Sequence, residues 1–103
     1  MKTPALKPGE LGMLRKVFHR HPEIKAVKLF GSRAKGTHAI SSDIDLALWG
    51  DVDALRAESI AAELDELPLP YRYDVKPFHL IKLRPLREHI ERVGITVYPE
   101  EDK

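Results

Sequence analysis

Cysteine is absent from the 103 residues, which removes disulfide frameworks, thiolate zinc sites and thiol nucleophiles at once. No apolar run approaches the ~20 residues needed to span a membrane, and the first ten residues lack the core of a signal peptide. A cytoplasmic, soluble chain without membrane attachment is therefore expected. Excess charge is also lacking. With 17 Lys and Arg against 16 Asp and Glu, the net charge of +1 gives no bulk field for holding nucleic acid, which is not expected as a direct ligand. The average hides a sorted distribution. Residues 1–36 hold nine basic and two acidic side chains, residues 37–75 two basic and nine acidic, and residues 76–103 six and five.

At 11.7 kDa, residues 1–103 make one domain. Leu11, Leu14, Val17 and Phe18 predict a helix from Glu10 to Arg20, and Val27 to Phe30 a short strand running into Gly31. Residues 31–42 read as a loop. Ile44, Leu46 and Leu48 alternate with Asp43, Asp45, Ala47 and Trp49, a strand with one apolar face that Gly50 ends. Asp51 and Asp53 are candidate caps for a helix reaching Leu67, with Leu55, Ile60, Leu64 and Leu67 turned inward. Arg72 to Phe78 reads as a strand in which Pro77 marks an edge or an end. Pro85 to Gly94 reads as a short helix, and Ile95 to Tyr98 as a last strand. The pattern is α/β (α+β): a small mixed sheet of about four strands packed against helices.

Two segments carry chemistry. In Phe30-Gly31-Ser32-Arg33-Ala34-Lys35-Gly36, glycine lets backbone N–H groups approach an anion, and the cations add charge. Thr37 and His38 follow where a Walker A loop needs Lys and Ser/Thr, so an ordinary P-loop is excluded. A strand ending in a plain glycine turn remains open. The second segment, Ser42-Asp43-Ile44-Asp45-Leu46, is more telling. Two residues along a strand advance roughly 6.6 Å and return to one face, so both carboxylates point together while Ile44 and Leu46 anchor the other side. Like charges about 4 Å apart repel by about 4 kcal/mol at an effective dielectric near 20, a conflict that a divalent cation relieves. Magnesium suits such oxygen donors and phosphoryl chemistry. Asp74, again between apolar residues, can join the same face from a neighbouring strand. Three carboxylates can bridge two metal ions.

Gly31-Ser32, ten residues, then Asp43-Ile44-Asp45, with a later strand aspartate at Asp74, resembles the signature of the polymerase-beta-type nucleotidyltransferase superfamily. The wording Gly-Ser-Arg-Ala-Lys-Gly and Ser-Asp-Ile-Asp-Leu is similar to that of its minimal nucleotidyltransferases, antitoxin-like partners of HEPN-domain proteins. The resemblance implies one nucleotidyltransferase domain over 1–103, with ATP as substrate held by Gly31 and Ser32. It implies two Mg2+ ions on Asp43, Asp45 and Asp74, the last also helping to deprotonate the acceptor hydroxyl. Arg33 and Lys35 would neutralise the triphosphate, and Ser42 would tie loop to strand. It further implies transfer of AMP to a tyrosine of a HEPN toxin, in a hetero-oligomer. Larger relatives close a helical domain over the base, so a chain ending near Tyr98 is expected to present an open shelf.

Two other readings stay open. Asp74-Val75-Lys76 fits an Asp-x-Lys metal-dependent nuclease pattern, which leaves Gly31-Ser32 without a role. A non-catalytic antitoxin would neutralise by occlusion. The five histidines are scattered and carry no metal pattern. Trp49 and Phe78 read as packing, with base stacking as the functional alternative.

Overall fold

The computed structural model describes residues 6–31 and 43–99. Helix α1 spans Pro8–His19 and buries Leu11, Leu14, Val17 and Phe18. It starts two residues before the predicted Glu10, because Pro8 at the first helical position has no N–H to leave unpaired. Glu10 accepts from the Lys7 N–H at 3.0 Å, satisfying an exposed donor at that end.

Strand β1 spans Ile24–Phe30 and β2 spans Ile44–Gly50, paired antiparallel from Ile24↔Gly50 to Phe30↔Asp45. The predicted start at Val27 was three residues late. A register irregularity between Ile24 and Ala26 leaves Ile24 and Val27 both buried, which breaks the two-residue period that betrays a strand. Gly50 ends β2 at φ +132°, where an added Cβ would collide with the Glu23 carbonyl just ahead of β1.

Helix α2, Ala54–Asp65, is capped by Asp53, whose carboxylate accepts from the Arg56 N–H at 2.8 Å. Its inner face is Ala57, Ile60 and Leu64. Leu55, predicted to point inward, is 76% exposed. It lies about 200° round the helix from Ala57, so the two cannot share a face. Strand β3, Tyr73–Pro77, runs parallel to β2 as an edge strand. A 3-10 turn at Phe78–Leu80 leads to helix α3, Arg84–Val93, and to strand β4, Ile95–Tyr98, antiparallel to β1. The sheet order is β3-β2-β1-β4, a four-stranded mixed sheet as expected.

One face of the sheet packs Val27, Leu29, Ile44, Leu46, Leu48 and Val97 against α1 and α2. The other face is apolar too, which corrects the expectation of a single apolar face on β2. Ala47 is fully buried with Phe30, Phe78, Ile81 and Ile90. Trp49 stacks on Phe78 with centroids 4.4 Å apart and planes 18° apart, so packing accounts for both rings. Arg87 fastens α3 there, donating to the carbonyls of Phe78 (3.1 Å) and Ile81 (2.8 Å).

Leu46→Ala should cost about 2–5 kcal/mol, since Leu46 has no exposure and sits amid the larger core. Leu55→Ala should stay within about 0.5 kcal/mol. Urea midpoints for the two variants check the pair; equal losses would contradict the assigned helix face.

Candidate active site

Three strand ends meet at one edge of the second sheet face. The register aligns Phe30 of β1, Asp45 of β2 and Asp74 of β3 in one row across the sheet. Asp43 stands exposed just ahead of β2. Ile44 and Leu46, both at 0% exposure, root the intervening positions on the opposite face. Hydrophobic alternation therefore delivers the carboxylates to a common side, as the sequence spacing predicts.

Gly31 closes the row. Its φ is +79°, and a Cβ built there would run into the Asp45 carboxylate, with Asp45 Cγ 3.2 Å away. Bare backbone at the end of β1 thus covers the carboxylate of β2, a closeness that only glycine permits. Ser32, Arg33, Lys35 and Ser42, the other predicted binding residues, lie outside the described residues, as does the remainder of the predicted loop.

The carboxylates act on one another. Burial first, then the negative charges of Asp74 and Asp43, push the Asp45 carboxyl above its ordinary 3.8, and Lys76 opposes this. Lys76 is the site residue that the sequence reading assigned only to a nuclease pattern. Its Nζ donates to both oxygens of Asp74, at 3.1 and 3.0 Å. The same two-residue period that aligns Asp43 with Asp45 aligns Asp74 with Lys76, so the signal was present.

The donor set is all hard oxygen crowded by like charge, which suits magnesium. Asp43, Asp45 and Asp74 would be its ligands. Among the described residues no three His, Asp or Glu side chains are grouped closely enough to hold a metal ion as they stand, and the Asp74 carboxylate is engaged by Lys76. His21 belongs elsewhere. It is buried before β1, at the other end of that strand, with Nε2 2.7 Å from Glu63 Oε2 and Nδ1 3.5 Å from Glu23 Oε2.

Residues 13–103 match the family described as "Polymerase beta, Nucleotidyltransferase". The chain belongs to that family and carries a nucleotidyltransferase domain. Solved structures share the fold. A chain of a toxin-antitoxin complex with AMP-PNP is 21% identical, with a TM-score of 0.73 over 93% of this chain and 76% of that one. A chain of the complex of tri-AMPylated Shewanella oneidensis HEPN toxin with MNT antitoxin is 18% identical, with a TM-score of 0.69 over 90% and 72%. A nucleotidyltransferase homologue from Sulfolobus solfataricus is 17% identical, with a TM-score of 0.53 over 84% and 73%. No curated protein matches the sequence significantly.

Crowding at Asp45 has a consequence for stability. Because its folded pKa is raised, folding takes up a proton between the unfolded and folded values. The protein is relieved of the strain at low pH and bears it fully once pH has risen through the folded value. Asp45→Asn should therefore melt above the parent at pH 7, with the gain vanishing below about pH 4. Thermal melts across pH check this; a variant melting below the parent at neutral pH would contradict the cost of burying and crowding the Asp45 charge.

Proposed function

We propose that the chain transfers AMP from ATP to a hydroxyl acceptor, a tyrosine of a partner HEPN-type toxin, and so acts as an antitoxin in the cytoplasm. Family membership supports the transferase chemistry, and the row Gly31, Asp45, Asp74 is the observation that carries it. The acceptor and partner rest on likeness to toxin-antitoxin complexes, one with AMP-PNP and one with an AMPylated toxin.

In this reading Gly31 and Ser32 present backbone N–H groups to the triphosphate, Arg33 and Lys35 offset its charge, and Ser42 ties the loop to β2. Asp43, Asp45 and Asp74 would hold two magnesium ions, which would supply charge neutralisation and favour an ionised hydroxyl. The acceptor oxygen forms a bond to the α-phosphorus, and the bond to the pyrophosphate bridging oxygen breaks with its electron pair leaving on pyrophosphate. Asp74 helps accept the hydroxyl proton. The half-exposed carboxylate row leaves room for an acceptor carried by a partner, which would also exclude water.

With ATP, magnesium and a co-expressed HEPN-type partner, Asp43→Asn or Asp45→Asn should lower pyrophosphate release by at least about 100-fold. The partner should gain the mass of AMP with the parent only. Undiminished turnover in either variant would sink the assignment. Neutralisation of the toxin by the inactive variants would instead favour the occlusion reading.

A further inference from the structure

We infer that Lys76 is a resident counter-ion of the carboxylate row, holding Asp74 until a divalent cation displaces it, and so sets the metal affinity of the site. The inference rests on the metal-binding reading above. Two observations carry it. The ammonium spans both Asp74 oxygens at 3.0 and 3.1 Å, so those oxygens face a cation already. Lys76 also stands opposite Ala47, whose small side chain, fully buried, leaves the lysine stem clear to lean toward Asp74.

The lysine has somewhere else to go. Lys76 lines an apolar groove of about 310 Å³ with Pro77, Leu80, Leu83 and Leu86. Methylenes can stay on that groove while the ammonium turns to water, a division natural to a long amphipathic side chain. Both partners of the ion pair are more than a third exposed, 41% for Lys76 and 44% for Asp74, so exchanging the ammonium for a bound ion opens no buried gap. A carboxylate row without any cation would splay under its own repulsion. With Lys76 in place, Asp74 keeps its position before metal arrives, and affinity is traded for that order.

The test reads metal binding without turnover. Mn2+ is titrated into the full chain, free of nucleotide, and the unbound ion is counted by electron paramagnetic resonance. Lys76→Met and Lys76→Gln should bind about tenfold more tightly than the parent, and Lys76→Arg about as the parent does. Unchanged or weaker binding in both uncharged variants overturns the inference. Asp45→Asn is the control. If it loses binding while Lys76→Met fails to tighten, Lys76 alone was misread; if the parent binds no Mn2+, or Asp45→Asn binds it equally, the metal reading falls as well. In the unmodified chain, the Lys76 ammonium resonance should shift during a Mg2+ titration with the midpoint of metal binding. A resonance unmoved at saturation overturns the inference without any variant.

Discussion

The site depends on one contest: burial of β2 against repulsion among carboxylates. Ile44, Leu46 and Leu48 are wholly buried on one face. At about 1.5–3 kcal/mol for each fully buried aliphatic side chain, they fix the strand with roughly 5–9 kcal/mol. A pair of like charges about 4 Å apart costs about 4 kcal/mol at an effective dielectric near 20. Burial wins, so Asp45 cannot turn away by flipping the strand; a one-residue slip would bring the aspartates into the core and the leucines out. Burial of the Asp45 carboxyl, and after it the charges of Asp74 and Asp43, raise its pKa.

The second sheet face is divided by the same register. Ala47 and Trp49 lie under the turn at Phe78 and under α3, and Arg87 ties that helix to the turn through two carbonyls. Asp45 and Asp74, two residues along the strands, border this cluster, and Phe30 of the cluster pairs with Asp45. Ala47, opposite Lys76, marks the boundary. A bulkier residue there would press on Ile90 or on the lysine stem. The small apolar cluster thus covers the face up to the carboxylates, which stay partly exposed beside it.

Much of this was legible because the informative residues obey short periods. The helices of Leu14, of Ile60 and of Ile90 show their spacing, their prolines and their caps, and the Asp43-Ile44-Asp45 alternation places two carboxylates on one side. What escaped has identifiable causes. The irregularity at Ile24 to Ala26 is an exception to periodicity, so β1 looked shorter than it is. Leu55 looked like core because hydrophobicity was counted without its angle to Ala57. Ala47 gives no hydrophobic signal, yet it is the most telling residue for the second core. Lys76 reads in the sequence only as part of an Asp-x-Lys nuclease pattern, because a spacing does not show which side chains pair; the structure sets its ammonium on Asp74.

Under the proposed function, charge arithmetic argues for cations at this site. The row holds three carboxylates and one ammonium that act on one another, a local sum near −2 even though the chain as a whole is +1. A nucleoside triphosphate is itself strongly anionic, and a half-buried anionic row would repel it more strongly than water screens. The row by itself is thus electrostatically hostile to the substrate proposed for it. Glycine N–H groups at the end of β1 supply only partial charges. Substrate binding then requires mobile cations, side-chain cations from the 32–42 segment, or both. The sorting of basic residues before Gly36 and acidic ones after it is the sequence-level form of that requirement, since it sets Arg33 and Lys35 in the segment that leads into Asp43 and Asp45.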